Sequence, residues 1–295
     1  MLPWSRLLAG SYIVRYLLGL LWILCCQANA EIRVKDDLDN HVVLEQPATR
    51  IVSLAPHLTE ILFSLGVGDK IVGTVRYSDF PPQAKQISHL GDAFSLNLES
   101  VLAMRPDIIF AWHTGGVNRP IQRLKDLGIA VYVNEARTLG SIAAGLNRIS
   151  KLVGASEQGS KLEEAFLQTL DELAVTYTVR PVVFFQISDQ DLYTVNDKHL
   201  IGQAINHCGA LNLFADIEPS VTLVSKEAIL AGDPDLLILT QQPGGIRSPW
   251  LARWRDYEDL KERLRTIDPS LISRPSFRML DGVKELCRLI SESNK

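Results

Sequence analysis

The sequence predicts an α/β protein of two lobes, each a mainly parallel sheet flanked by helices, joined by a long rigid helix. Three observations carry this. Short β-branched or apolar runs alternate with helical stretches between residues 50 and 133, and again after residue 180, the rhythm of βα units with right-handed crossovers. Between the two regions the chain is helical in pattern from 139 to 153 and from 157 to 177, with no flexible linker. A repeat then relates the two regions: Glu99-Ser-Val-Leu-Ala-Met-Arg-Pro-Asp-Ile-Ile and Glu227-Ala-Ile-Leu-Ala-Gly-Asp-Pro-Asp-Leu-Leu share E-x-[VI]-L-A-x-x-P-D-[IL]-[IL].

Residues 1–30 read as a secretory signal. Arg6 and Arg15 precede an apolar run from Tyr16 to Cys26, and Ala28-Asn-Ala30 has the small-x-small form of a cleavage site. The apolar core is short for a membrane span, and Leu24 stands where lipidation before Cys25 or Cys26 wants a small residue. The chain is therefore expected to be exported. Removing this segment takes two arginines and no acid from the 30 basic and 34 acidic residues, leaving 28 against 34 and a net charge of −6. Nothing in that balance suits nucleic acid. Two of the four cysteines remain, Cys208 and Cys287, expected as one disulfide in an oxidising compartment, with two buried free thiols as the alternative.

The mature chain divides into an N-terminal lobe over 31–137, connecting backbone helices over 138–179 and a C-terminal lobe over 180–295. Ile32 and Val34 alternate with charges, Asp37 to Asn40 turns, and Val42-Val43-Leu44 follows, a strand pair. Arg50 to Leu54 is a strand, Ala55-Pro56-His57 breaks it, and Leu58, Ile61, Leu62 and Leu65 have helical spacing up to Gly66 and Gly68. Lys70 to Val75 is a second strand, and Tyr77-Ser-Asp-Phe-Pro-Pro an irregular loop. His57 and Tyr77 thus sit in loops at the carboxyl ends of strands, where open α/β sheets bind ligands. A helix from Asn97, a strand from Ile108 to Trp112, a helix from Pro120 to Leu127 and a strand from Ile129 to Val133 complete the lobe. About twenty residues of connecting helix would span roughly 30 Å, enough to cross between lobes. Beyond it come a strand over 181–187, a helix over 200–208, another over 227–231, a strand over 236–240 and helices near 249–264 and 277–291.

The acid of the repeat is not needed by a helix-to-strand junction, which explains only its apolar and X-Pro-Asp positions. Glu99 and Glu227 therefore mark equivalent helix starts, one per lobe, where the helix dipole alone would also favour a carboxylate.

In order along the chain, S-L-A-P-x-x-T-E-I-L-F-x-L-G, Y-S-D-F-P-P-Q-A-K, N-L-E-x-V-L-A-x-R-P-D-I-I-F-A-W, C-G-x-x-N-L-F and R-P-x-x-R-x-x-x-G-x-x-x-L-C resemble the periplasmic cobalamin-binding proteins of corrinoid ABC importers. These lie within the wider group that holds metal chelates between two lobes on a helical backbone. The resemblance covers essentially the whole mature chain. It implies a monomeric binding protein, not an enzyme, with cobalamin as cargo rather than as a resident cofactor and two permease subunits as partners. It implies ligand contacts at Tyr77, Trp112, Tyr193, Ser270 and Arg274, docking onto permease arginines by Glu99 and Glu227, and a disulfide between Cys208 and Cys287. Pro56, His57 and Phe94 join the candidate ligand contacts from their places beside the first strand end and before the first docking glutamate. Flat aromatic faces with a few polar donors suit a broad apolar ring edged by amides.

Ala93-Phe94 and Val221-Thr222 stand where the resemblance would place tryptophans, and Ser270, with Asp268 nearby, where it would place an acid. These departures keep haem or an iron-siderophore chelate open as the alternative ligand. An enzyme on the same scaffold finds no support in G-x-S-x-G, H-E-x-x-H, C-x-x-C or a Gly-rich phosphate loop, all of which are missing from the sequence. The six histidines lack metal-ligand spacing, so no metal site is expected, although His57 and His113 both fall at strand ends.

Overall fold

The computed structural model describes residues 31–92, 95–115, 118–246 and 248–293. The expected signal segment and Phe94 lie outside them.

The N-terminal region opens with a hairpin, β1 (Ile32–Lys35) against β2 (His41–Leu44), antiparallel in register Val34 to Val42. A four-stranded parallel sheet follows: β3 (Ile51–Ser53), β4 (Ile71–Gly73), β5 (Ile108–Trp112) and β6 (Ala130–Asn134), in the spatial order β4-β3-β5-β6. Its helices are α1 (Pro56–Ser64), α2 (Leu98–Ala103) and α3 (Asn118–Asp126). The C-terminal region repeats the plan with β7 (Val182–Gln186), β9 (Leu211–Asn212), β11 (Leu236–Thr240) and β12 (Leu264–Ile267), in the order β12-β11-β7-β9. Read from the second strand, both sheets run second, first, third, fourth, all parallel. A small antiparallel pair, β8 (Tyr193–Val195) with β10 (Val221–Leu223), stands beside the second sheet.

The repeat seen in sequence is a repeat in space. Asn97 and Ser225 cap α2 and α7 (Lys226–Ala231) by the same bond, side-chain oxygen accepting from the amide three residues on. Glu99 and Glu227 occupy the second helical position of each, exposed to solvent. Arg105 and Asp233 end the two motifs with positive φ, 45° and 38°. Asp107 then accepts from the amides of Thr49 and Arg50 before β3, and Asp235 from the amide of Val182 at the start of β7. The aspartate of each Pro-Asp thus ties a third strand to the first, which accounts for its place in the motif. The amide bonds outweigh partial burial and hold the Asp107 carboxyl below its ordinary pKa.

Two helices connect the sheets, α4 (Leu139–Val153) and α5 (Ser156–Glu172). Thr138 and Ser141 form a capping box at the start of α4, and Gly154 at φ 74° stops it in the left-handed conformation that favours glycine. A Cβ at Gly159 would lie 2.0 Å from Ser150 Oγ, so glycine there lets the two helices approach closely. The second helix ends at Glu172 rather than Tyr177, and the chain reaches β7 through an irregular segment.

Successive sheet residues point to opposite faces. Ile108 and Phe110, like Leu236 and Ile238, enter one core shared with α4, Phe166 of α5 and the C-terminal helix α11 (Met279–Ser293). Ile109 and Ala111 line a second core outside the first sheet, and Leu237 and Leu239 a third outside the second. Both faces being covered, the central strands read as continuous apolar runs. The shared core is what makes the connection stiff: α4 contributes Ile142, Leu146, Ile149 and Val153 to it, each burial contributing roughly 1.5–3 kcal/mol.

Cys208, capping α6 (Leu200–His207), is joined to Cys287 of α11, a disulfide closing a sequence separation of 79. The sequence reading of one helix over 249–264 is corrected. Helices α8 (Pro249–Arg255) and α9 (Glu258–Lys261) are followed by edge strand β12, and α10 (Pro269–Ile272) leads to α11. Trp250 and Trp254 pack on each other at 5.5 Å, with Trp254 fully buried.

Candidate functional site

The carboxyl ends of both sheets open onto one cleft of about 510 Å³ between the lobes. Tyr77 and Asp79 come from the loop after β4; Gln242 and Pro243 follow β11; Asp268, Pro269, Ser270, Ser273 and Arg274 follow β12. Three sequence candidates, Tyr77, Ser270 and Arg274, are therefore brought together from positions almost two hundred residues apart. Tyr77 is 67% exposed and has φ 69°, a backbone conformation that a bulky residue adopts at a cost. Its turn is held by the Ser78 amide donating to Val75 O and the Asp79 amide to Tyr77 O, while buried Ser78 accepts from Thr59. An aromatic face is thus fixed outward by a rigid base.

Arg274 is held on its inner side. Its Nη1 donates to Asp79 Oδ1 at 2.6 Å and to Glu60 Oε1 at 2.9 Å. Glu60, on α1, is 2% exposed, and both of its oxygens are taken by the opposite lobe. Oε1 also accepts from Arg278 Nη2 at 3.1 Å, and Oε2 from Ser276 Oγ at 2.6 Å. The Arg278 guanidinium lies 3.8 Å from the centre of the Phe80 ring. Partial burial works against the charge on Arg274, but the two carboxylates win and raise its pKa further. Ser270 is fixed from both sides, its amide on Asp268 Oδ1 and its carbonyl on Arg278 Nη2.

The other candidates take different places. His57 is the second residue of α1, not a loop residue, and is buried. Asn134 donates to Asp37 at 2.8 Å, so its Oδ1 accepts from His57 Nε2–H at 2.9 Å. Asp37 is in turn paired with Arg148. Trp112 packs edge-on against the His57 ring at 5.4 Å and is partly exposed, and Pro56 is the first residue of α1, also partly exposed. His57 therefore backs Trp112 and does not line the 510 Å³ cleft. Tyr193, 38% exposed on β8, accepts from the Ile187 amide at the end of the second sheet. Asp79, Gln242 and Pro243 were missed by the sequence reading. The signal that would have found the last two is the place itself, the turn after a central parallel strand.

Burial dominates at His57 and lowers its pKa to about 4, with the Asn134 bond opposing and the Arg274 charge adding. The unfolded chain then binds the extra proton first, so stability is present above pH 6.5 and lost as pH falls from about 6.5 toward 4. The unfolding free energy across that range should fall by an amount on the order of 3 kcal/mol for the native chain and by much less for His57→Gln. Parallel profiles for the two proteins would show that other groups govern acid sensitivity.

Two parallel-sheet lobes on a stiff helical connection, with a preformed cleft at their strand ends, define a bilobal solute-binding protein. The chain belongs to the periplasmic binding protein family, which it matches over residues 51–285. It is 31% identical over 252 residues to the vitamin B12-binding protein of Vibrio cholerae serotype O1, covering 84% of this chain and 91% of that one. It is 30% identical over 250 residues to the vitamin B12-binding protein of Pectobacterium atrosepticum, covering 82% and 88%. The crystal structure of the periplasmic vitamin B12 binding protein BtuF of Vibrio cholerae superposes with a TM-score of 0.76 at 31% identity, over 84% of this chain and 99% of that one. The periplasmic haem-binding protein RhuT from Roseiflexus sp. RS-1 shares the fold at 20% identity and a TM-score of 0.73, covering 84% and 100%. Among the described residues no helix is long and apolar enough to cross a membrane.

Proposed function

We propose that this protein captures cobalamin or a related corrinoid between its lobes in the periplasm and delivers it, as a monomer, to the two permease subunits of an ABC importer. The observation that carries the reading is the open cleft headed by Tyr77, an outward aromatic face opposite Ser270 and the Arg274 segment, in a chain whose 31%-identical relatives are named vitamin B12-binding proteins. Trp112, at the carboxyl end of β5, and Tyr193, on β8, are assigned as further faces for a large ligand, beyond the residues that line the 510 Å³ cleft itself. The shared core through α4 supports a cleft that changes little on binding. Glu99 and Glu227 are the docking carboxylates. Their equivalent exposed positions on pseudo-symmetric helices suit a partner with two-fold symmetry, where paired charges set register and speed encounter.

Mature protein mixed with cyanocobalamin should carry the coloured ligand through gel filtration. Elution of free cobalamin from micromolar protein that retains haemin or a ferric siderophore would reassign the cargo. With Glu99→Lys and Glu227→Lys combined, ligand retention should be unchanged while ligand-stimulated uptake into vesicles containing the importer falls at least about tenfold. Undiminished uptake would remove the docking role.

A further inference from the structure

Beside the main cleft lies a second bay of about 550 Å³, joined to it through Gln242 and Pro269. It sits outside the ends of β7 and β11, between Ile187, Ser188 and Asp189 on one side and Thr240 to Gln242, Gly245 and Ile246 on the other. These are the first and third strands of the sheet, between which the chain changes direction of winding, the point where parallel sheets leave a crevice. The walls are built. Gln241 donates to the Gln242 and Ile246 carbonyls and accepts from the Ser248 amide, pinning the loop after β11. Ser248 Oγ and Trp250 Nε1 donate to the carbonyls of Asp189 and Gln190, pinning the loop after β7.

Three polar groups on these walls, the Asp189 carboxylate, the Gln242 amide and the Thr240 hydroxyl, have no side-chain partner among the described residues. Ile246, 95% exposed, and Ile187 supply apolar edges. The charge around the joined cavities is uneven. Arg274 and Arg278 are matched by Asp79 and Glu60, which leaves Asp189 and Asp268 as the unmatched charges lining the two cavities among the described residues. The exposed Arg76 beside Tyr77 is a cation at the outer rim.

We infer that this bay is a subsite that selects an amide-edged over a carboxylate-edged macrocycle, with Asp189 and Gln242 as the specificity-determining residues. A peripheral carboxamide can donate N–H to the Asp189 carboxylate and exchange hydrogen bonds with the Gln242 amide, while a carboxylate in the same place meets the like charge of Asp189, which has no cationic partner among the described residues. The subsite rests on the reading of the cleft as a macrocycle site, but charge selection and corrinoid identity fail separately.

The test compares dissociation constants for cyanocobalamin and for its separate monocarboxylic-acid isomers, each with one amide hydrolysed, on the full mature chain. At least one isomer should bind about tenfold more weakly at low salt, and the gap should shrink at roughly 0.5 M salt, where exposed charges are screened. Asp189→Asn, which removes the charge but keeps an acceptor, should close most of the gap chiefly by tightening binding of the acid form, and Gln242→Ala should weaken the amide form more than the acid form. Equal affinity of amide and acid forms, or a gap unchanged in Asp189→Asn, overturns the subsite. If no corrinoid is retained, the proposed cargo falls and the same comparison is made between haemin and its dimethyl ester. Tighter binding of the ester supports the subsite; equal or weaker binding, or retention of neither, overturns it.

Discussion

Replacing Glu60 by alanine is expected to lower the folding stability of the ligand-free protein by about 3–5 kcal/mol. The carboxylate is 2% exposed and holds two guanidinium groups and a serine hydroxyl from the other lobe. Among the described residues, its removal leaves Arg278 with no ion-pair partner, and Arg274 with Asp79 alone. A buried pair is weak evidence for net stability compared with an apolar replacement, but breaking one from a single side strands a charge away from water. Glu60→Gln keeps the volume and should recover part of the loss through hydrogen bonding. Denaturant unfolding at constant m-value measures both; a loss under about 1 kcal/mol would mean that the arginines swing to solvent without cost. Because Arg274 also lines the cleft, ligand affinity should fall together with stability in these variants.

Tyr77→Ala should separate the two quantities. With 67% of the residue exposed, the ring contributes little to the core, so the ligand-free melting temperature should stay within about 1 °C. Ligand affinity should fall tenfold to a hundredfold, about 1.4–3 kcal/mol, as expected for a rigid aromatic face lost from the centre of a contact. Tyr77→Phe should retain most of the affinity, since the face rather than the hydroxyl is invoked. Equal losses of affinity and stability in the alanine variant would return Tyr77 to a structural role.

The parts of the candidate site that could be proposed from sequence were those whose signal is local. Tyr77 stands in a proline-rich loop between a strand and the next helix, where an exposed aromatic has no core to join. Glu99 and Glu227 announced themselves by repetition. His57 was misplaced because nothing near it in sequence says that Asn134, 77 residues later, would accept its proton and Trp112 would cover it. Strand β12, Leu-Arg-Thr-Ile, is short, half-exposed and preceded by the good helix formers Lys261-Glu262-Arg263; only its pairing with β11 makes it a strand.

By itself, the sequence determined the α/β class, the two repeated sheets, the helical connection, the cysteine pair and the capped helices bearing Glu99 and Glu227. Apart from the cysteine pair, which follows from the expected export and the two cysteines left after it, each of these rests on periodicity, capping or repetition of short motifs, interactions that the chain makes locally before it folds up. Only the tertiary structure decided that Glu60 is shared between the lobes, that Arg274 reaches the cleft already bound to two carboxylates, and that a second bay opens beyond Gln242. Those arrangements depend on partners such as Glu60 and Arg278, 218 residues apart, and on the removal of water between them, which no local pattern encodes.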